Sequence, residues 1–184
     1  MRIVSGKHRG RRLTAPASLP VRPTTDMAKE ALFNILNNTY YLEDISVLDL
    51  FAGIGSISFE FASRGSTDIV AVDEHAGCIR FIESTNEVLE AGIQTVKSDV
   101  FSFLERNSRK FDVIFADPPY AMDEEKFDSL LELIFSKELL KEDGLLIIEH
   151  GKQTNLSDHP SFERSRKYGG NVFSFFKDSL PDKN

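Results

Sequence analysis

Asp49-Leu50-Phe51-Ala52-Gly53-Ile54-Gly55 is the stretch that decides the fold. Val47–Phe51 is a short, mostly apolar run closed by two glycines, which reads as a buried strand entering a tight turn. Gly53 and Gly55 let the backbone approach a ligand closely, and a helix follows through about Arg64, with Gly65 as its stop. A strand that feeds a helix in this way is the opening unit of a parallel α/β sheet.

Downstream the unit repeats. Ile69–Val72 reads as a second strand ending in Asp73-Glu74, and a helix from about Ala76 to Glu90 turns Ile79, Ile82 and Leu89 inward, with Gly92 as its C-terminal signal. Gln94–Lys97 is a short third strand ending at Ser98-Asp99, and a helix spans Val100–Arg106. Val113-Ile114-Phe115-Ala116 is the next strand. Phe127, Leu130, Leu131, Ile134 and Phe135 keep helical spacing, and Leu145–Ile148 is a fifth strand. Phe162–Lys167 and Val172–Lys177, joined by Gly169-Gly170, form a hairpin that adds an antiparallel edge strand. Right-handed crossovers then place helices on both faces. The expected fold is α/β, with a Rossmann-like, mostly parallel seven-stranded sheet.

Upstream, Arg2–Ser5 and Arg11–Thr14 read as two strands around the turn Gly6-Lys7-His8-Arg9-Gly10, a hairpin with a cationic tip. Pro16, Pro20 and Pro23 mark an extended connector. Thr24-Thr25-Asp26 offers capping side chains to an amphipathic helix built on Ala28, Ala31, Leu32, Ile35 and Leu36. One domain, 1–184, is expected, with 1–23 as basic hairpin and connector and 24–184 as the Rossmann-like core.

Charge is unevenly spread. The chain carries −7 overall, yet residues 1–30 hold seven Lys/Arg against Asp26 and Glu30, leaving +5 there and −12 elsewhere. Interleaving with Ile3, Val4 and Leu13 suits an ordered ribbon, so Lys7, Arg9, Arg11, Arg12 and Arg22 are expected to meet the phosphates of a nucleic acid. Cys78 is the single cysteine, which excludes an internal disulfide and suits a reducing compartment. With no secretory leader and no membrane-length apolar run, a cytoplasmic protein without membrane contact is expected. His8, His75, His150 and His159 show no metal-ligand spacing, so no metal is expected. Cys78 reads as core, and Phe173, Phe175 and Phe176 as alternating burial in an edge strand.

Ligands of open α/β sheets lie beyond the carboxyl ends of the strands. Phe51–Gly55, Asp73, Asp99 and Asp117-Pro118-Pro119-Tyr120 all occupy such ends. Two prolines cannot donate to a sheet ladder, so the strand before Asp117 must stop, leaving an extended loop with an unpaired Pro118 carbonyl. An acid, a free carbonyl and an aromatic face together suit a planar base bearing an exocyclic amine. Asp73 stands 20 residues past Gly53, where an acid that holds ribose hydroxyls belongs. This fits nicotinamide dinucleotides and S-adenosylmethionine alike. Ser58 in place of a third glycine, and an Asp-Pro-Pro-Tyr that a dehydrogenase does not need, favour the second.

Asp49–Gly55 with Asp117–Tyr120 resembles the class I S-adenosylmethionine-dependent methyltransferases that modify exocyclic amines. Arg2-Ile3-Val4-Ser5-Gly6, Gly10-Arg11-Arg12-Leu13, Arg22-Pro23-Thr24-Thr25-Asp26 and Glu30-Ala31-Leu32-Phe33-Asn34 are similar to the RsmD family, which methylates guanine N2 in bacterial 16S ribosomal RNA. The match runs almost from end to end. It departs at Met27, where the family often has a basic residue, and around Gly169-Gly170. The resemblance implies that Asp49, Phe51 and Gly53–Gly55 hold the methionine part of the cofactor, Asp73 its ribose and Asp99 its adenine amine, with Val100 or Phe101 beside the ring. Arg22, Thr24 and Thr25 would close over the methionine end or the target nucleotide, and Asp117–Tyr120 would hold the target amine. It further implies 16S ribosomal RNA within a small subunit or assembly intermediate as partner; a monomer is expected. Adenine-N6 methylation of DNA or another RNA, a nicotinamide-dependent oxidoreductase, and a non-catalytic RNA-binding factor are the competing readings.

Overall fold

A computed structural model describes residues 1–178; the last six residues of the expected core lie outside the described residues. The elements are α1 (Asp26–Asn37), β1 (Ser46–Leu50), α2 (Ser56–Ser63), β2 (Asp68–Asp73), α3 (Ala76–Leu89), β3 (Gln94–Lys97), α4 (Val100–Arg106), β4 (Phe111–Ala116), α5 (Glu124–Ser136), β5 (Leu140–Gly151), β6 (Phe162–Tyr168) and β7 (Asn171–Phe176). They form a seven-stranded sheet in the order β3-β2-β1-β4-β5-β7-β6. The first five strands run parallel, β7 joins β5 antiparallel, and β6 closes the edge antiparallel to β7. From β1 the chain winds outward to β3 and then returns to β4 on the other side of β1. Strand order therefore reverses between β1 and β4, which opens a crevice at their carboxyl ends.

Strand periodicity divides the sheet between two cores. Val47, Val113, Phe115, Leu145 and Ile147 face a core shared with α1, α2 and α3. Leu48, Leu50, Ile114, Leu146 and Ile148 face the other, closed by α4 and α5. By the same alternation Asp49, Asp117 and Glu149 belong to the first face, at the carboxyl ends of three adjacent strands.

Three expectations need correction. β5 is much longer than Leu145–Ile148, because it pairs with β4 from Leu140 and its ladder with β7 continues to Gly151. The left-handed residue that ends α3 is Glu90 (φ 49°), not Gly92. β7 is not an edge strand: it is paired on both edges, by β5 and β6, and its side chains are buried on both faces, Phe173 and Phe175 in one core and Phe176 in the other.

The basic hairpin also differs from two full strands. Arg2 and Arg12 form a single bridge, while Ile3 N–H reaches Arg11 O (2.9 Å) and Gly10 N–H reaches Ile3 O (2.8 Å). The ladder stops there because α2 takes the neighbouring donors. The Val4 and Ser5 N–H groups donate to the Glu60 carboxylate (3.0 and 3.1 Å), and Lys7 N–H donates to Ser63 O (2.7 Å). Gly6 (φ +82°) is required at this junction, since a Cβ would lie 1.9 Å from the Ser63 carbonyl oxygen. Glu60, fully buried, also accepts from Arg64 Nε (3.0 Å) and lies 3.6 Å from the Lys29 ammonium, whose own hydrogen bond goes to Arg2 O. One buried carboxylate thus ties the arm, α1 and α2 together.

Candidate active site

At the crevice lies a cavity of about 910 Å³, lined among others by Asp49, Phe51, Gly53, Asp73, Asp99, Val100, Asp117–Tyr120 and the connector residues Arg22–Thr25. That volume sits near the upper end of ligand sites, about 1,000 Å³, so a donor and an acceptor nucleoside can share it.

The glycine turn is held from below and from the side. Ala52 N–H donates to Val72 O (3.0 Å) and Gly53 N–H to Asp73 Oδ2 (2.8 Å), while Asp73 Oδ1 accepts from His75 N–H (2.8 Å). Phe51 adopts φ 57°, a conformation that L residues rarely hold, and it faces the cavity. Each Asp73 oxygen keeps one acceptor position beyond these bonds, as ribose hydroxyls would require. Asp49 is buried and takes both the Ser58 amide (3.2 Å) and its hydroxyl (2.6 Å) on Oδ2. Burial pushes its carboxyl up to about 7 despite those two bonds.

The predicted residues do not all converge. Gly55 (φ +81°) does not line the cavity; a Cβ there would meet the Phe59 and Ile82 side chains at 3.0–3.1 Å, so it serves the packing of α2. Asp99 reaches the cavity and also caps α4 through Ser102 N–H (2.9 Å). Val100 lines the wall, whereas Phe101 packs in the second core. Thr25 caps α1 through Ala28 N–H (3.2 Å) at the cavity rim. Lys7, Arg9, Arg11 and Arg12 are exposed, form no ion pair among the described residues, and lie away from the cavity. The turn at Lys7 sits against Ser63 at the far end of α2, roughly 12 Å along that helix from the crevice.

β4 stops at Ala116 as the prolines demand. Asp117 N–H donates to Leu50 O (3.3 Å) and Pro119 O accepts from Met122 N–H (2.9 Å). Among the described residues the Pro118 carbonyl accepts nothing and the Asp117 carboxylate has no donor. These three oxygens are free to accept from a ligand. Tyr120 is 65% exposed and its hydroxyl donates to Asn171 Oδ1 (3.1 Å).

Glu149 and Asn171 escaped the sequence reading. Glu149 is buried on the cavity wall, accepting from Thr24 Oγ1 (2.8 Å) and Asn171 Nδ2 (2.6 Å). The signal was available: Glu149 follows Ile148 as Asp117 follows Ala116, each the acid just past an apolar strand. Burial raises the Asp117 carboxyl well above the carboxylate range, and the charges of Glu149 and Asp49 raise it further. Burial raises Glu149 too.

A pH dependence follows from the sign of that shift. If ionised Asp117 is the working form, the rate at saturating cofactor falls as pH drops through its raised pKa. The acidic limb of the rate–pH profile therefore lies above the ordinary carboxylate range near 4, and Asp117→Asn removes it.

The residues fit a sulfonium cofactor on chemical grounds. Six carboxyl side chains, those of Asp49, Asp73, Glu74, Asp99, Asp117 and Glu149, line the cavity, and Ser56 Oγ, at the start of α2, is buried on its wall without a partner among the described residues. A family model described as "Conserved hypothetical protein 95" matches residues 1–177. The YlbH protein of Bacillus subtilis (strain 168) is 36% identical over 163 residues, 86% of each chain. Ribosomal RNA small subunit methyltransferase D of Escherichia coli (strain K12) is 29% identical over 162 residues, 88% of this chain and 80% of that one.

The chain belongs to the RsmD family.

A solved structure of a hypothetical protein from Thermus thermophilus superposes with TM-score 0.83 at 32% identity, covering 96% of this chain and 99% of that one. The same fold, at TM-score 0.69 and 19% identity over 86% of this chain and 45% of that one, occurs in a T. thermophilus 16S rRNA N2 G1207 methyltransferase solved with AdoMet and guanosine. This RsmD-family chain is a class I S-adenosylmethionine-dependent methyltransferase. Among the described residues, no cluster of three or more His, Cys, Asp or Glu could hold a metal ion, and no helix is long and apolar enough to cross a membrane.

Proposed function

We propose that this enzyme methylates the exocyclic N2 amine of a guanine in 16S ribosomal RNA, within a small subunit or an assembly intermediate, acting in the cytoplasm as a monomer and without a metal. The observation that carries this reading is the pair of unpartnered acceptors, the Asp117 carboxylate and the Pro118 carbonyl, beside the exposed Tyr120 ring.

S-adenosylmethionine supplies an electrophilic methyl group on a positively charged sulfur. The rest is the work of the chain. Guanine N2 is a poor nucleophile because its lone pair is delocalised into the ring. Hydrogen bonding of the amine to acceptors that include Asp117 and Pro118 favours a pyramidal nitrogen whose lone pair points away from them. Tyr120 stacks on the base and fixes its angle for in-line attack, a positioning effect. Asp117 receives the proton that N2 loses. The base must leave its stack, at roughly a few kcal/mol in a duplex and least in a loop. Asp73 and the glycine turn hold the ribose and methionine ends of the cofactor, and Asp99 with Val100 frames its adenine.

The arm supplies sequence-independent contacts to phosphate. If Lys7, Arg9, Arg11, Arg12 and Arg22 neutralise about five phosphates, log affinity falls against log salt with a slope on the order of −3.5 on single-stranded RNA. Replacing Arg9, Arg11 and Arg12 with Ala weakens RNA binding and flattens that slope while cofactor affinity stays unchanged. Unaltered RNA affinity would remove the arm from the account.

The reading is tested by supplying labelled cofactor to small subunits, large subunits and protein-free 16S RNA from cells lacking the enzyme. Label entering small subunits or their assembly intermediates supports it. Label confined to large subunits, or to none of the three, refutes it.

A further inference from the structure

Among the described residues, Glu149 has acceptor capacity that goes unused. An ionised carboxylate only accepts, with about two lone-pair sites on each oxygen. In Glu149 one site on Oε1 is filled by Asn171 Nδ2 at 2.6 Å, and one on Oε2 by Thr24 Oγ1 at 2.8 Å. One acceptor position remains on each oxygen of a side chain that is 3% exposed and lines the cavity. The carboxylate cannot swing away from these positions. Thr24 grips one oxygen from the connector, and Asn171 grips the other while its Oδ1 is held by the Tyr120 hydroxyl.

Sheet register brings this acceptor beside the acid assigned to the target amine. Ala116 pairs with Ile148, so Asp117 and Glu149 are the next residues of two parallel strands about 4.8 Å apart. A planar ligand that reaches Asp117 with one edge can meet two more acceptors on Glu149. Such a ligand needs two neighbouring N–H donors in one plane, with a further N–H on the outer nitrogen. The Watson–Crick edge of guanine has that pattern in N1–H and the N2 amine. Adenine presents an amine next to a bare N1, whose lone pair would face a carboxylate oxygen.

We infer that Glu149 reads the target base, accepting N1–H and one N2–H of guanine on its two oxygens and leaving the second N2–H to Asp117 and Pro118. The assignment rests on the proposed guanine-N2 reaction and adds the origin of its base choice. With both N2 hydrogens engaged on opposite sides, the nitrogen lone pair is the one position left open to the methyl donor. The balance is simple. The N2 lone pair forms the new N–C bond, the electron pair of the broken C–S bond stays on sulfur, and one N2 proton leaves to Asp117.

The test substitutes 2-aminopurine for the target guanine. 2-Aminopurine keeps the N2 amine but has a bare N1. The methylated position is first mapped by mass spectrometry, and a ligated transcript carrying either base there is assembled into small-subunit particles. The native enzyme is expected to methylate guanine at least about 100-fold faster than 2-aminopurine, because a buried acceptor would otherwise face a lone pair. Glu149→Gln offers N1 an N–H donor in place of an oxygen, so the guanine rate falls and the preference shrinks by at least tenfold. Asn171→Ala, which leaves the Glu149 carboxylate present, lowers both rates and keeps the preference.

Equal rates on the two bases with the native enzyme overturn the assignment without any variant. So does a preference unchanged in Glu149→Gln, or one that Asn171→Ala collapses equally, since either marks Glu149 as a brace for the loop. Failure of the underlying reaction looks different: the particle with guanine is then not methylated at all.

Discussion

Asp117→Ala is expected to lower the rate of methyl transfer by roughly 1,000-fold or more while S-adenosylmethionine binding stays within a few-fold of the native value. The split follows from the bonding of the two acids at the crevice. Asp117 braces nothing, since its carboxylate has no donor among the described residues, so removing it leaves the glycine turn intact. What disappears is the acceptor that orients the amine and takes its proton. Asp73→Ala is expected to do the reverse. It frees the Gly53 and His75 amides, each held at 2.8 Å, and removes the ribose acceptor, so cofactor affinity falls at least about tenfold. Calorimetric titration with the cofactor and single-turnover methylation separate the two effects. A loss of cofactor binding in Asp117→Ala equal to that in Asp73→Ala would show that Asp117 belongs to the cofactor subsite.

Glu60→Ala is expected to cost about 3–5 kcal/mol of stability, because it strips the partner from a fully buried ammonium and from two backbone amides. Lys29 is already held below its ordinary pKa by burial, against the pull of Glu60 and Asp26. Without Glu60 it must shed its proton or draw in water. At roughly 2–4 °C per kcal/mol for a chain of this size, the midpoint falls by on the order of 10 °C. Thermal unfolding followed by circular dichroism reads the change. Proteolysis within residues 1–13 should accelerate more than cleavage elsewhere, since Val4 and Ser5 lose their anchor. A midpoint lowered by less than about 2 °C would mean that the arm and α1 are held by apolar packing alone, through Ile3, Leu32 and Phe33.

Much of this architecture was legible because strand-ending signals are local. Asp117-Pro-Pro stops β4 within one residue of the expected place, and Gly53 fixes the exit of β1. What escaped depended on long-range pairing. The length of β5 is set by its neighbours, β4 from Leu140 and β7 as far as Gly151, and β7 begins twenty residues past the end of β5. β7 lies inside the sheet because β6 takes the edge position, and the burial of Phe173, Phe175 and Phe176 comes from two separate cores built by elements distant in sequence. The arm fails to form two regular strands because Glu60, on another element, captures its amides. Glu149 is a different case. The carboxyl-edge argument that selected Asp73, Asp99 and Asp117 applies equally to β5, and the partners that give Glu149 meaning, Thr24 and Asn171, lie 125 and 22 residues away. Gly55 shows the converse: a motif glycine that looks like ligand contact is needed for the packing of Phe59 and Ile82.

The central claim is that an exocyclic purine amine meets Asp117 and Pro118 beside the methyl donor. Its most direct test is the chemical identity of the product nucleoside. Small-subunit RNA labelled by the native enzyme should yield N2-methylguanosine on digestion and mass spectrometry, and Asp117→Ala should yield none. Label recovered as N6-methyladenosine, on a ring carbon or on a ribose hydroxyl would contradict the account.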